Sequence, residues 1–321
     1  MTLAMIVGHD RHQRYLGRAL RKDTLAHAYL FSGPEEVGKR TMALACAQSL
    51  LCRALPEALG GCGSCESCRV ASDLRHPDLV FLSREQPLVE SGGQRDIGIK
   101  SVRELSRRLS LAPWAGGRKV AIIDGAERLS HDAQSAFLKT LEDPPRTTTF
   151  FLIASQSGGL LSTVVSRAVV LSFGVVPDAA MALLLRGVPV GQHAALLRIA
   201  AGRPGALVRF ARDAEALTRA ETSERCFGAL LAGDLAERFT FSDRTSRDPG
   251  ELESCVASLS RTLRAELHRR ASAPGSAVPV ARALESLLRA HTLLAAVAVN
   301  RRLLADWLFV SLPVLNAPAP P

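Results

Sequence analysis

Ala28-Tyr-Leu-Phe-Ser-Gly-Pro-Glu-Glu-Val-Gly-Lys39 is the stretch that decides the fold of this 321-residue chain. Its first five residues form a short apolar run, which is typical of a parallel strand buried on both faces. Gly33, Gly38 and Lys39 match the spacing G-x4-G-K of a phosphate-binding loop, and a helical pattern starts at Thr41. A strand, a glycine-containing loop and a helix in this order predict a nucleotide-binding α/β domain.

Further apolar runs of the same character follow in the first half of the chain, with helical patterns between them. These strand candidates are 78–82, 119–124, 149–155 and 168–173. Ser101 and Glu104 form a capping-box pattern that predicts the start of one helix. A second helix is predicted from Ser130 to Glu142, ending before Pro144, which cannot continue it. The alternation predicts an open parallel sheet within residues 1–173.

After residue 173 only amphipathic helical patterns remain, interrupted by glycine and proline. The fold class predicted is therefore α/β followed by all-α. We expect a small helical unit over 174–213 and a larger helical bundle over 214–316. The Ala/Pro-rich residues 317–321 are expected to be a disordered tail.

Four cysteines predict a metal site in a module of about residues 50–70. They are spaced C-x9-C-x2-C-x2-C, as Cys52, Cys62, Cys65 and Cys68. Four thiolates suit tetrahedral zinc and leave no open position, so the expected zinc is structural. An iron–sulfur cluster is the alternative, because C-x2-C-x2-C also opens the ferredoxin pattern, but the C-x3-C-P that should follow is missing.

The phosphate loop departs from a working one at several positions. The hydroxyl residue that should follow Lys39 and hold Mg²⁺ is Arg40, and Thr41 comes one position late. Two carboxylates, Glu35 and Glu36, lie in the loop itself. A degenerate loop is thus at least as well supported by these residues as a functional one.

The acidic strand of the domain shows a similar departure. Asp124 ends the run 119–124, where P-loop enzymes place a second Mg²⁺ contact. The position after it, where an active ATPase usually carries a glutamate, is Gly125. Glu127 lies three residues on from Asp124 and is expected to face elsewhere. Hydrolysis of ATP by this chain alone is therefore not expected.

Composition narrows the class of protein without deciding it. The net charge is +9, and nearly all of the positive charge is carried by arginine. This charge permits a nucleic-acid or acidic-protein partner without showing one, and solvated faces are the favoured explanation of any single arginine cluster. Aromatic residues are only 5%, which disfavours a zinc module whose main function is nucleic-acid binding. We find no signal-peptide pattern and no apolar stretch long enough to span a membrane, so a cytoplasmic protein is expected.

Taken together, the motifs resemble a known family. The segments HAYLFSGPEEVGK, HPDLVFL, RKVAIIDGAERL and SAFLKTLEDPP, with the four cysteines after the loop helix, resemble the delta-prime subunits of bacterial DNA polymerase III. These subunits belong to the AAA+ clamp-loader family. The resemblance is strong over about residues 5–175 and looser beyond.

The resemblance implies a RecA-like AAA+ domain with an inserted zinc module, a helical lid over 174–213 and a collar domain over 214–316. It implies a subunit of the DNA polymerase III holoenzyme that helps to load the sliding clamp on primed DNA, without reading sequence. The implied partners are tau/gamma-type and delta-type clamp-loader subunits, the sliding clamp and DNA, and no membrane.

The resemblance also assigns roles to residues. Ser166-Arg167-Ala168 matches the family's S-R-C motif, so Arg167 is the expected arginine finger in trans, for ATP held by a neighbouring subunit. Ser155 matches the sensor-1 region. The lid arginine of the family's ATPases falls on Gly205, and Arg203 is expected to point elsewhere.

These departures favour a stator without ATPase or polymerase activity of its own, with ATP bound weakly or only at the neighbouring subunit. An active tau/gamma-type motor is the alternative.

Overall fold

The chain folds into two compact units. The computed structural model describes residues 6–54, 59–89, 96–114, 117–145, 147–232, 235–270, 274–294 and 300–312. The first unit contains the residues up to 193 together with 202–208. The second contains 194–201 and the residues from 209 onward. The predicted tail at 317–321 lies outside the described residues.

A five-stranded, all-parallel sheet forms the centre of the first unit, with the order β2-β3-β4-β1-β5. The predicted strands are confirmed to within one residue at each end. The strands are β1 (Ala28–Ser32), β2 (Leu79–Ser83), β3 (Lys119–Asp124), β4 (Thr148–Ala154) and β5 (Val169–Ser172).

Helices cover both faces of this sheet. Alternate residues of β1 enter two separate cores: Leu30 packs on one face with Phe137 and Leu105, and Phe31 packs on the other with Met42. This two-sided burial explains why the strands are apolar along their whole length. The helices are α1 (Asp10–Arg21), α2 (Lys39–Leu51), α3 (Glu66–Ser72), α4 (Ile99–Ser110), α5 (His131–Glu142), α6 (Ser162–Val165) and α7 (Asp178–Met181).

Two predicted helix starts had different outcomes. The start at Ser130 is confirmed, since its side chain caps α5 by accepting a hydrogen bond from the Ala133 N–H. The capping box at Ser101 is wrong: α4 begins at Ile99, and the Ser101 hydroxyl donates to the Val89 carbonyl at 3.3 Å. Glu104 instead accepts hydrogen bonds from Arg107 and Arg108, one turn further on.

The rest of the chain is helical, and among the described residues no strand follows Ser172. Three of these helices begin at a proline, because the first helical position needs no backbone N–H. They are α8 (Val190–Ala200), α9 (Pro204–Arg212), α10 (Ala214–Ala232), α11 (Leu235–Ser246), α12 (Pro249–Arg270), α13 (Pro274–Leu294) and α14 (Arg301–Ser311).

The second unit has its own core, in which Phe227, Leu259, Leu263 and Phe309 pack together. Arg238 is buried in the same unit and donates to the carbonyls of Leu230 at 3.0 Å, Phe309 at 3.2 Å and Leu312. None of the helices in the described part of the chain is both long and apolar enough to cross a membrane.

Candidate functional site

The phosphate-binding motif lies at the carboxyl edge of the sheet, between β1 and α2. The Gly33 N–H bonds to the Ala154 carbonyl at the end of β4, at 3.2 Å. A side chain is excluded at Gly33, because its Cβ would lie 2.0 Å from the Phe173 carbonyl oxygen. Gly38 precedes α2 with a φ of +107°, which favours glycine. The two motif glycines therefore have a backbone reason in this structure.

Lys39 folds back onto its own loop. Its ammonium group donates to the Gly33 carbonyl and, at 2.6 Å, to the Pro34 carbonyl. Burial lowers the pKa of Lys39, and the nearby carboxylates of Glu127 and Asp124 oppose that shift. The motif lysine thus lies among acidic groups while bonded to its own backbone.

Arg40 reaches the acidic end of β3. A guanidinium nitrogen of Arg40 lies 3.6 Å from a carboxylate oxygen of Asp124. The guanidinium also stacks over the ring of Phe81 on β2, 4.6 Å from its centroid. Thr41 is half-buried on the first turn of α2. Arg40, which stands in place of the expected hydroxyl residue, therefore pairs with Asp124, the carboxylate expected to contact Mg²⁺.

Glu127 faces the site, so the expectation that it faces elsewhere is wrong. Its Oε1 accepts from the Ser155 backbone N–H at 2.9 Å and from the Ser155 hydroxyl at 2.5 Å. Its Oε2 is buried and has no hydrogen-bond partner among the described residues. The cause is a 3-10 turn, Ala126–Arg128, entered through Gly125 at a φ of +78°. This turn brings Glu127 back over the end of β4.

The start of α9 closes on the same loop. The Gly205 N–H donates to the Glu36 carbonyl at 2.8 Å. A Cβ at Gly205 would lie 3.0–3.2 Å from Glu36 atoms, so a lid arginine at this position would have to displace the loop. Arg203 points toward the loop, against expectation, with its guanidinium 3.6 Å from the Glu36 carboxylate.

These contacts do not fit a Mg²⁺–nucleotide held in the manner of a P-loop ATPase. Such a site needs a hydroxyl after the lysine and a carboxylate available to the metal. Here the residue after Lys39 is an arginine, and it pairs with Asp124. The Ser155 hydroxyl donates to Glu127.

The second candidate site is the cysteine cluster between α2 and α3. The Sγ atoms of Cys52, Cys62, Cys65 and Cys68 all lie within 4.8 Å of one another. Those of Cys62 and Cys68 are 4.0 Å apart, close to the roughly 3.8 Å that a tetrahedral Zn–S₄ centre requires. The donor set and its size therefore fit zinc, whose effect there would be to cross-link the module.

Hydrogen bonds to the sulfurs favour the thiolate of Cys62, whereas burial disfavours the thiolate of Cys68. The N–H groups of Cys62, Cys65 and Cys68 each donate to the sulfur of another cysteine in the cluster at 3.4 Å. Hydrogen bonds from the Ser64 hydroxyl and the Cys65 N–H hold the pKa of the Cys62 thiol at about 5. Burial raises the pKa of Cys68 to about 12. A Cβ at Gly61 would lie 2.7 Å from the Cys68 sulfur, so this position needs glycine.

A buried hydrogen-bonded chain ties the cysteine module to the sheet, and sequence reasoning missed it. The His76 Nδ1 accepts from the Asp78 N–H at 3.1 Å, which places the proton on Nε2. Nε2–H then donates to the Ser67 hydroxyl at 2.9 Å, and Ser67 donates to the Leu51 carbonyl at 2.5 Å. The signal available in the sequence was Ser67, a polar residue between Cys65 and Cys68, with His76 nine residues after it.

Arg167 follows α6 and lies outside the phosphate loop. Its guanidinium donates to the Glu142 carboxylate at 2.7 Å and to the Thr163 carbonyl at 3.1 Å. The side chain is about one-third exposed, at 36%. It precedes β5, whose Val169 is level with Tyr29 at the start of β1. Arg167 therefore lies toward the amino edge of the sheet, and the phosphate loop lies at the carboxyl edge.

Comparison with known proteins decides the family. Residues 8–177, which are 170 of the 321, match the family described as DNA polymerase III, delta subunit. The chain belongs to the delta-prime family of DNA polymerase III subunits. The delta-prime subunit of Pseudomonas aeruginosa is 38% identical over 144 residues, covering 45% of this chain and 42% of that protein.

This chain is also similar to another subunit of DNA polymerase III. The tau subunit of Escherichia coli is 33% identical over 166 residues, 52% of this chain and 24% of that protein. A solved gamma-subunit-related protein from Thermotoga maritima has a TM-score of 0.46 at 18% identity, covering 93% of this chain and 97% of that one. The chain spans about half the length of the delta-prime relatives it matches.

Proposed function

We propose that this delta-prime family member is a clamp-loader subunit that does not hydrolyse ATP and completes the ATP site of a neighbouring subunit with Arg167. Membership of the family supports the clamp-loader role. The contacts of Arg40 and Gly205 support the absence of hydrolysis. In this role the chain acts by arrangement, and the chemistry occurs in its neighbour.

The position of Arg167 carries the proposal. Tyr29 is level with Val169, the first residue of β5, and Gly33 lies four residues beyond Tyr29. The phosphate loop therefore begins about 13 Å further along the strand direction than the start of β5. Arg167 lies before that start. The guanidinium of Arg167 therefore does not easily reach the phosphate loop of the same chain. A phosphate that Arg167 stabilises belongs to another chain.

The contacts of Arg167 suit such a role. Glu142 at the end of α5 and the Thr163 carbonyl on α6 orient the guanidinium without burying it. An exposed ion pair of this kind contributes only about 0–1 kcal/mol, so it can open at small cost. Arg167 can then exchange Glu142 for a more highly charged phosphate. Arginine forms such forked hydrogen bonds readily.

The remaining assignments belong to the same proposal. Residues 1–173 form the AAA+ domain, 174–213 the lid and 214–316 the collar that holds the assembly together. The partners are tau/gamma-type and delta-type subunits, the sliding clamp and primed DNA, whose sequence is not read. Zinc bound by the four cysteines stabilises the module between α2 and α3, since metal binding there is coupled to local folding.

An active ATPase motor remains the competing function, because tau subunits match the chain at similar identity. The two functions differ in what the isolated chain does. A motor hydrolyses ATP by itself, whereas the proposed subunit changes only the turnover of its neighbour.

The test is ATP turnover by the tau/gamma-type ATPase assembled with the other loader subunits, clamp and primed DNA. We expect the wild-type chain to stimulate turnover and Arg167→Ala to remove that stimulation. An arginine finger can raise the rate of hydrolysis at one site by roughly 10³–10⁵-fold. Arg103→Ala, exposed on α4, is the matched control and should stimulate like the wild type.

Two results would reject parts of the proposal. Turnover by the isolated chain would identify a motor and show that the altered loop still works. The clamp-loader role itself would be rejected if ATP turnover by the partner ATPase were the same with the wild type, with Arg167→Ala and without this chain.

A further inference from the structure

Arg40 lies where a P-loop protein places the hydroxyl that holds its metal ion. It directly follows Lys39 at the start of α2, and it reaches Asp124 at the end of β3, with 3.6 Å between nitrogen and oxygen. In the P-loop pattern these two positions both contact Mg²⁺. In this chain a fixed positive charge joins them directly.

The guanidinium is held from a second side. It stacks over Phe81, 4.6 Å from the ring centroid, and Phe81 is buried on β2. Strand β2 pairs with β3 so that Ser83 is level with Asp124. Both contacts of Arg40 are thus on neighbouring strands of the rigid sheet. A cation held over an aromatic face and beside a carboxylate keeps its place even when half exposed, at 49%.

Two cations of the chain, Arg40 and Lys39, lie close enough to Asp124 to favour its charged form. Burial raises the pKa of Asp124, the cations Arg40 and Lys39 lower it, and the carboxylates of Glu85 and Glu127 raise it. In a P-loop ATPase a divalent cation offsets such carboxylates together with the phosphates. Here Arg40 and Lys39 supply that positive charge.

Other polar groups of the loop region are also bonded within the chain. Lys39 donates to its own loop carbonyls, and the Ser155 hydroxyl donates to Glu127. Arg203 pairs with Glu36. These groups of the loop region are bonded within the chain, whereas the buried Oε2 of Glu127 has no hydrogen-bond partner among the described residues.

We propose that Arg40 is a built-in counter-ion that replaces Mg²⁺ at Asp124, so that any nucleotide the loop binds is bound independently of Mg²⁺. The inference deepens the proposed non-hydrolysing role and takes its functional meaning from it. Without a metal ion bridging the phosphates, in-line hydrolysis lacks its main source of charge stabilisation. Arg40 then determines which form of nucleotide the site accepts.

The experiment measures binding of a mant-labelled ATP to the purified full chain, with and without Mg²⁺. Mg²⁺-free buffer is prepared on a chelating resin, because a soluble chelator would also attack the cysteine site. For the wild type we expect the same affinity, or the same lack of binding, in both buffers. For Arg40→Thr, which places a hydroxyl after Lys39, we expect binding at least about tenfold tighter with Mg²⁺.

Two further variants make the result specific. Arg103→Thr makes the same exchange on the exposed face of α4 and should behave like the wild type. Lys39→Ala combined with Arg40→Thr should lose the Mg²⁺-dependent binding, which shows that it occurs in the phosphate loop. Circular dichroism and thermal unfolding confirm that each variant is folded.

The proposal is overturned if wild-type binding tightens about tenfold or more on adding Mg²⁺, since Arg40 would then have to leave Asp124 to the metal. It is equally overturned if folded Arg40→Thr gains no Mg²⁺ dependence. A wild type that binds the nucleotide decides the question even if the variant fails to fold, and a wild type that does not bind leaves the decision to folded Arg40→Thr. None of these outcomes depends on partner subunits, so a failure here is distinguishable from a failure of the Arg167 role.

Discussion

Glu127 accepts both hydrogen bonds that Ser155 offers, from the backbone N–H at 2.9 Å and from the hydroxyl at 2.5 Å. The pair joins the segment after β3 to the end of β4 at the carboxyl edge of the sheet. Its position is restricted further by Gly159, where a Cβ would lie 2.9 Å from the Glu127 Cβ. The residue expected to sense a phosphate is therefore bonded to a carboxylate.

The first prediction concerns this pair. Glu127→Ala leaves the Ser155 N–H and hydroxyl without their acceptor, so we expect the free energy of unfolding of the first unit to fall by about 1–3 kcal/mol. Urea unfolding followed by circular dichroism measures it. Asp132→Ala, an exposed acid in the first turn of α5, should cost about 1 kcal/mol or less. Equal losses for both variants would mean that the pair is not specifically stabilising.

The second prediction concerns the cysteine cluster. Purified protein should contain one zinc ion per chain, and Cys62→Ser should lose it, because a structural site needs all four ligands. Zinc content by mass spectrometry and thermal unfolding are the measurements. Cys46→Ala is the matched control: Cys46 is buried in α2, burial raises the pKa of its thiol, and it is not a ligand.

Removal of the metal should mainly weaken the segment between α2 and α3, since the binding free energy is local folding free energy. A metal-free chain with an unchanged melting temperature would contradict the structural role. Iron with sulfide in place of zinc would support the iron–sulfur alternative.

The third prediction is a pH dependence carried by His76. Burial lowers the pKa of His76 from its usual 6.5. The unfolded chain then binds more protons between the two pKa values, so stability is full above about pH 6.5 and declines as the pH falls through the folded value. Protonation also removes the acceptor for the Asp78 N–H.

Unfolding measured from pH 7.5 to 5 tests this dependence. His76→Asn removes the titrating group and should flatten the slope, while His131→Asn, exposed at the start of α5, should leave it unchanged. A steep slope that survives in His76→Asn would place the effect elsewhere, for example at His9, whose pKa burial also lowers.

The fourth prediction concerns the second unit. Arg238 is 3% exposed and donates to carbonyls of Leu230, Phe309 and Leu312. Arg238→Met keeps much of the apolar stem but leaves these carbonyls unpaired, so we expect a loss of about 2–4 kcal/mol. Arg219→Met, whose side chain is 71% exposed on α10, should change stability by less than about 0.5 kcal/mol. Chemical unfolding of the full chain measures both.

The sequence by itself determined the sheet, because buried parallel strands leave a pattern that needs no knowledge of their neighbours. The five apolar runs and the helix capped by Ser130 all appear in the structure. The cysteine spacing predicted the cluster, and short C-x2-C turns restrict the geometry of Cys62, Cys65 and Cys68 locally.

Only the tertiary structure decided how the altered residues of the phosphate loop are used. Arg40 meets Asp124 and Phe81, and Glu127 meets Ser155, through contacts between residues 28 to 84 positions apart in the chain. Arg203 likewise reaches Glu36. Such pairings depend on strand order and on one 3-10 turn after Gly125. Neither can be predicted from the spacing of residues along the chain. A local pattern can show that a residue is missing, but the folded chain alone shows what takes its place.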